Sequence, residues 1–294
     1  MPNLGERLLK IRGLSKHFLL TNKKHGPVFR AVDDVSFDVF RGQTVGIVGE
    51  SGSGKTTCAR TLLRALRPTA GRVEFTNAGR TIDLAAIPER RLKPLRREMQ
   101  MIFQDPFASL NPRMTVGDIV AEPLLIHRLG NAAERQDRVV EMLRRVGLEG
   151  SHRNRYPHAF SGGQRQRIGI ARALILNPAL VVADEAVSAL DVSVRAQVLD
   201  LLRELQQERG LTYLFVSHDL SVVRQICDFL VVMRRARIVE MGATEAVYNS
   251  PQHPYTRALL SAIPLPDPSR RLEPIDIDRL PESELEPLEY PLPD

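Results

Sequence analysis

The sequence predicts an α/β fold in which a parallel sheet carries helices, an antiparallel β layer precedes it and a helical insert interrupts it. Three observations carry that prediction. Thr44-Val45-Gly46-Ile47-Val48 is a short, β-branched apolar run that gives way to a glycine-rich stretch and then to helical spacing over Cys58 to Leu66. Two further runs, Ala179 to Ala183 and Leu211 to Val216, are continuously apolar, as strands covered on both faces are, and each ends in polar residues, Asp184-Glu185 and Ser217-His218-Asp219. Ahead of all of these, Leu8 to Phe18 and Val28 to Val39 alternate apolar and polar residues, the period of half-buried strands.

In chain order, the first strand ends in the loop Thr21-Asn22-Lys23-Lys24-His25-Gly26-Pro27. Near its end Phe18 offers a flat π face that suits a purine ring, although composition alone would place such a residue in the core. Next comes Gly49-Glu50-Ser51-Gly52-Ser53-Gly54-Lys55-Thr56, with Thr57 behind it. This fits the phosphate-binding pattern G-x-x-x-x-G-K-[ST] at every required position. Its glycines let successive N–H groups turn inward, and the new helix offers its positive dipole end to an anion. Lys55 is expected to reach the β- and γ-phosphates and the Thr56 hydroxyl to ligate Mg²⁺, which prefers oxygen. The chain therefore binds a nucleoside triphosphate.

Gly71 to Phe75 and Thr81 to Leu84 read as two more short strands, and Met99 to Phe103 as an apolar strand ending at Gln104 before the breaker Asp105-Pro106. An amide at such a strand end suits a Mg²⁺ ligand or a holder of the attacking water. From Met114 to Val146 apolar residues recur at three- and four-residue spacing, the helical insert. Phe160-Ser161-Gly162-Gly163-Gln164 then opens another helix. Ser161 is its expected N-cap, and the glycines allow close approach of an anion to a second helix N-terminus.

The strand end at Asp184-Glu185 invites a division of labour, with Asp184 holding the metal and Glu185 polarising the water that attacks the γ-phosphate. Asp191 follows, ahead of a helix from Val194 to Glu208 that Gly210 closes. His218 taken alone is more often structural, but at a core strand end beside a γ-phosphate it would orient that group.

Composition agrees with a globular chain: 294 residues, 43% hydrophobic, 26% charged. No run approaches the roughly 18 apolar residues of a membrane helix. Glu6, Arg7, Lys10 and Arg12 interrupt any signal-peptide core, so a cytoplasmic protein is expected. Cys58 and Cys227 are too few and too far apart for a disulfide framework and read as buried free thiols. The net charge of +6 hides an asymmetry, because residues 273–294 carry eight acids against Arg279 alone, which leaves a basic body. A basic body suits nucleic acid or an anionic membrane face, and composition does not choose. The run from Arg90 to Arg97 reads as a solvated surface, and the acidic, proline-rich tail from Pro264 as an extended or partly disordered arm.

Taken together, these residues resemble the nucleotide-binding subunit of an ATP-binding cassette (ABC) transporter. The resemblance covers residues 8–240 and rests on Phe18, the phosphate loop, Gln104, Ser161-Gly162-Gly163-Gln164, Asp184-Glu185, Asp191 and His218, all in family order. It implies the ABC ATPase fold, a P-loop NTPase core of RecA type with an antiparallel β subdomain and a helical insert. It also implies ATP as the nucleotide and two cassettes paired head to tail, each ATP lying between one phosphate loop and the partner's serine-glycine signature. Asp191 joins the nucleotide-binding set on this ground, and nucleic acid drops out as a partner.

Ser250-Pro251-Gln252-His253-Pro254-Tyr255-Thr256-Arg257-Ala258-Leu259-Leu260 and the stretch from Ala183 to Val194 resemble the oligopeptide and dipeptide (peptide/nickel) importer ATPases, second ATPase type. That resemblance divides the chain into an ATPase domain over residues 1–250, with a helical subdomain at about 106–165, and an extension over 251–294. It implies a second ATPase chain as a heterodimer partner, two transmembrane permease subunits and an extracytoplasmic solute-binding protein. The chain would then lie on the cytoplasmic face of the cell membrane. Phe160 stands where Leu is commoner before the signature, a tolerable apolar swap. Many relatives carry a cysteine cluster for an iron–sulfur centre after the His-Pro-Tyr segment. No Cys follows Cys227 here, so no such centre is expected. Import of an opine, nickel or another metal complex is the nearest alternative. Export, or a soluble cassette ATPase of DNA repair or translation, is more distant, since one cassette is present and the span from Gln104 to Ser161 is short.

Overall fold

A computed structural model describes residues 5–20, 26–263, 275, 281, 285–290 and 292 of the chain. The loop reading over Thr21 to His25, and most of the extended-arm reading from Pro264 onward, fall outside the described residues. The chain forms two compact units, Met1–Ile87 with Leu214–Asp294, and Pro88–Tyr213.

The first unit opens with β1 (Arg7–Leu19), β2 (Val28–Phe40), β3 (Thr44–Val48), α1 (Lys55–Leu62), β4 (Ala70–Asn77) and β5 (Arg80–Asp83). Four of these strands make the expected antiparallel layer, in the order β2-β1-β4-β5. Simple alternation would put Leu8 and Leu9 on opposite faces, yet both are buried. The register between β1 and β2 slips between Arg7 and Leu9, a bulge that turns two neighbouring leucines inward. α1 is shorter than its apolar spacing suggests, because Arg64 takes a left-handed conformation (φ 55°) after Leu62 and ends it.

The second unit holds α2 (Leu92–Leu95), β6 (Met99–Ile102), α3 (Val116–Ile126), α4 (Ala132–Arg145), α5 (Gly162–Leu174), β7 (Leu180–Asp184) and α6 (Val192–Arg209). Of the basic run, only Leu92 is buried, while Arg90, Arg91, Lys93, Arg96 and Arg97 are exposed, a solvated surface as its composition suggested. The helical insert is built of two helices, α3 and α4. Arg128 (φ 56°) and Gly130 (φ 69°) turn the chain between them, and Asn131 restarts it with a reciprocal cap, accepting from Glu134 N while Glu134 accepts from Asn131 N. β6 and β7 run parallel in register from Met99 opposite Leu180 to Ile102 opposite Ala183. α6 ends at Gly210, left-handed at φ 62°, where the sequence placed its stop.

β8 (Thr212–Ser217) carries the chain back into the first unit, followed by α7 (Leu220–Ile226), β9 (Phe229–Arg234), β10 (Arg237–Ala243), α8 (Thr244–Asn249) and α9 (Pro254–Ser261). There the strand order is β10-β9-β3-β8, with β3 and β9 parallel and β9 and β10 an antiparallel hairpin. Every residue of β3 and β8 is buried, which is why both read as unbroken apolar runs. Cys58 and Cys227 are buried free thiols. Among the described residues no helix is long and apolar enough to cross a membrane.

Candidate functional site

In the first unit the loop between β3 and α1 is shaped by its glycines. Gly49, Gly52 and Gly54 stand at φ 148°, 81° and 103°, a region that side chains disfavour. A Cβ on Gly49 would lie 2.1 Å from the Met233 carbonyl oxygen of β9, and one on Gly54 would lie 2.2 Å from that of Ala31 in β2. The loop is therefore pressed against backbone on two sides and must be glycine at both. Ser53 N donates back to Glu50 O at 3.2 Å, and the Ser53 carbonyl accepts from Ala236 N at 3.0 Å.

Lys55 is 4% exposed and arches over the loop, its Nζ donating to Gly49 O at 2.8 Å and to Glu50 O at 2.7 Å. Behind it α1 begins at Gly54 with no side-chain cap, so a side chain does not close the N-terminus where an anion would sit. Ser51 and Gly52 are exposed at the loop crest, and Thr56 and Thr57 follow on the first turn of α1, half-buried.

Two further expected residues lie in this unit. Phe18 is 37% exposed, with Lys16 Nζ 4.9 Å from its ring centroid and Phe29 opposite it in register, so it is not core and its ring can be stacked upon. His218 is exposed directly after β8, on the turn where Asp219 caps α7 by accepting from Ser221 N.

In the second unit the ends of β6 and β7 bring two expected residues together. Gln104 Nε2 donates to Glu185 Oε2 at 2.8 Å. Glu185 takes a left-handed φ of 48°, a conformation that costs a non-glycine residue about 1 kcal/mol or more and concentrates at functional sites. Ser188 holds it there, donating from both N and Oγ to the Glu185 carbonyl at 3.1 and 2.9 Å. Asp184, immediately before it, is buried as the last residue of β7.

The signature begins as the sequence predicts. Ser161 Oγ accepts from Gln164 N at 3.3 Å while Gln164 Oε1 accepts from Ser161 N at 3.0 Å, a complete capping box at the start of α5. Gly162 has open space where a side chain would stand. A Cβ on Gly163 would come within 2.3 Å of Val194 Cγ1 on α6. Asp191 caps α6, accepting from Val194 N at 3.0 Å and from Ser193 Oγ at 2.8 Å. The Val194 amide, with the serine hydroxyl, holds its carboxyl below the usual carboxylate range.

Sequence reasoning missed several supporting residues. Arg165 lies over the Phe107 ring at 4.2 Å, and Arg172 over the Phe103 ring at 5.6 Å while donating to Ser109 O at 2.6 Å, so two arginines of α5 brace the segment that carries Gln104. Tyr255 accepts the Glu50 amide at 3.0 Å from 205 positions away. It lay within a stretch already singled out, but nothing local to a tyrosine announces so distant a partner.

Thr56 in the first unit, and Gln104 and Asp184 in the second, each carry an oxygen donor of the kind a hard cation such as Mg²⁺ takes. Since Gln104 spends its amide N–H on Glu185, its carbonyl oxygen is the atom left for a metal.

The ABC transporter family matches residues 32–188, and the oligopeptide/dipeptide transporter C-terminal region matches residues 239–287. A putative peptide import ATP-binding protein of Brucella ovis is 56% identical over 266 residues, covering 90% of this chain and 81% of that one. The oligopeptide transport ATP-binding protein OppF of Bacillus subtilis is 54% identical over 266 residues, covering 90% of this chain and 85% of that one. Among solved structures, a dimeric ATP-binding cassette in a post-hydrolysis state, bound to ADP and Pi, superposes with a TM-score of 0.71 at 29% identity, over 81% of this chain and 99% of that one. A glycine loop that only glycine fits, a capped serine-glycine signature and a glutamate held at a strand end thus meet an identity above one half across nearly the whole chain: it belongs to the ABC transporter family, as an ATP-hydrolysing cassette with the C-terminal region of the oligopeptide/dipeptide transporters.

Proposed function

We propose that this chain powers the import of di- and oligopeptides by binding and hydrolysing ATP. The observation that carries the reading is the likeness, over 90% of the chain, to proteins of peptide import and oligopeptide transport, joined to a matching C-terminal region over residues 239–287. In domain terms the cassette is residues 1–250, with its helical subdomain at about 106–165, and residues 251–294 are the extension.

Gly49, Ser51, Gly52, Ser53, Gly54, Lys55, Thr56 and Thr57 cradle the phosphates, and Phe18 stacks on the adenine. Thr56, Gln104 and Asp184 hold Mg²⁺, which supplies positive charge to the β- and γ-phosphate oxygens. Glu185 polarises the attacking water, Gln104 orients that carboxylate, His218 positions the γ-phosphate, and Lys55 offsets the charge that develops there. Ser161, Gly162, Gly163, Gln164 and Asp191 are presented to the nucleotide of a partner cassette. The partner is a second, different ATPase chain. Two transmembrane permease subunits and an extracytoplasmic solute-binding protein complete the importer, with this chain peripheral on the cytoplasmic side and no nucleic acid bound.

The test is recovery of the full chain from detergent-solubilised membranes of its native host, with co-purifying proteins identified by mass spectrometry. Two permease subunits, a second cassette ATPase and a peptide-binding protein are expected. Ribosomal or DNA-repair partners without permeases would overturn transport and leave the ATPase chemistry standing.

A further inference from the structure

Tyr255 is fully buried, and its hydroxyl accepts the N–H of Glu50 at 3.0 Å. The other group of that same peptide unit, the Gly49 carbonyl, accepts from Lys55 Nζ at 2.8 Å. The peptide plane joining Gly49 to Glu50 is thus clamped at both ends, by the lysine expected on the phosphates and by a tyrosine outside the phosphate-loop pattern. Burial pushes the Tyr255 phenol up to about 12, so it stays neutral.

Tyr255 is itself anchored through its neighbours. Glu240, buried on β10, accepts from Gln252 N at 2.8 Å and from His253 N at 3.1 Å. His253 Nδ1 accepts from Tyr255 N at 3.0 Å, and His253 Nε2 lies 3.0 Å from Glu286 O. The segment that bears Glu286 lies along β10, with Leu285 buried and Leu288 N donating to Val239 O at 3.2 Å. A continuous line of hydrogen bonds therefore runs from the C-terminal segment, through the His253 ring and Tyr255, to the phosphate loop.

We propose that Tyr255 is a positioning residue for nucleotide binding: it fixes the Gly49–Glu50 peptide plane on which the Lys55 ammonium is seated, and the segment docked on His253 holds Tyr255 in place. This rests on the assignment of the phosphate loop as the ATP site. A peptide plane free to rotate would move the carbonyl that seats Lys55 and lower affinity for the triphosphate, without touching the groups that activate water.

The experiment uses the full chain with Tyr255→Phe, which removes one hydroxyl and keeps the ring. ATP affinity is measured by calorimetry, KM and kcat by phosphate release, and folding by thermal melting, all against wild type. The expected result is an ATP dissociation constant and KM raised about five-fold, the equivalent of one ordinary hydrogen bond, with kcat within about two-fold of wild type. Unchanged ATP affinity, or a lowered melting temperature with KM unmoved, would overturn the proposal.

His253→Asn is the second variant. Asn remains a good N-cap, able to accept from Tyr255 N in place of the imidazole, but it cannot reach Glu286 O, so it undocks the segment and leaves the Tyr255 hydroxyl in place. Its ATP affinity should fall in the same direction, and unchanged affinity would refute the anchoring. Lys55→Ala separates the two levels of inference. If it binds ATP as wild type does, the site assignment itself fails, whereas loss of ATP binding there beside a silent Tyr255→Phe condemns only the role given to the tyrosine.

Discussion

The side-chain amide of Gln104 donates to the carboxylate of Glu185 at 2.8 Å, linking two residues 81 positions apart that follow the neighbouring parallel strands β6 and β7. The bond orients the glutamate carboxylate, the group proposed to polarise the attacking water. Replacing Glu185 with Gln keeps the size and removes the charge that polarises that water. Glu185→Gln is expected to lower phosphate release at least a hundred-fold in a single-turnover assay while ATP affinity stays within about three-fold of wild type. Hydrolysis at the wild-type rate would remove Glu185 from the chemistry.

The two signature glycines answer to different constraints. Gly162 has open space around it, whereas a Cβ on Gly163 meets Val194 Cγ1 at 2.3 Å, and a valine on a helix has one strongly preferred rotamer and little room to yield. Gly163→Ala should destabilise the chain by about 1–3 kcal/mol through overpacking of α5 on α6, and Gly162→Ala by less than about 0.5 kcal/mol. Urea denaturation of the two variants side by side checks this. Equal midpoints would place the demand for glycine in nucleotide contact alone.

The sequence made some features plain and hid others, and the division has a physical cause. β3, β7 and β8 are unbroken apolar runs because both their faces are covered, and the cap of α5 and the stop of α6 announce themselves through Ser161 and Gly210. Each of those signals is local. The pairing of Gln104 with Glu185, the arginines that brace Phe103 and Phe107, and the seat of Tyr255 on Glu50 depend on which strand lies beside which, and no window of sequence contains them. The bulge that turns Leu8 and Leu9 both inward also escaped a strict two-residue period.

Burial holds the His253 pKa below its ordinary 6.5, against the opposing pull of the Glu286 carbonyl and the Glu240 carboxylate, and Arg234 adds to the lowering. In its neutral form Nδ1 keeps the lone pair that accepts Tyr255 N. Above pH 6.5 the ring is neutral in the folded and unfolded chain alike, and its contribution is complete. As pH falls below 6.5 the unfolded chain takes up the proton first, so stability is lost as pH drops through the folded-state value. The melting temperature of wild type should therefore fall more steeply between pH 7 and pH 5 than that of His253→Asn, and the His253 ring resonances should titrate below 6.5. Identical slopes would show that His253 is not held neutral.

Both thiols are shielded. Burial pushes Cys58 up to about 12 and raises Cys227 well above its usual range, with Asp228 adding to the latter. Neither should react with a maleimide in the folded chain at pH 7.5 over minutes, and both should react once denaturant is added. Mass spectrometry after a timed pulse reads the outcome, and rapid labelling of the native chain would contradict the burial.

The hydrogen bond between Glu50 and Tyr255 has a consequence for how the protein is born. At roughly 5–20 residues per second, a ribosome makes the phosphate loop on the order of ten seconds or more before it makes the tyrosine that the loop's amide meets 205 positions later. The same delay separates Asp33 and Ser53 from Ala236, whose backbone pairs with both. A nascent cassette therefore carries an unfinished phosphate loop through most of its synthesis: its backbone partner Ala236 comes late, and the Tyr255 hydroxyl later still.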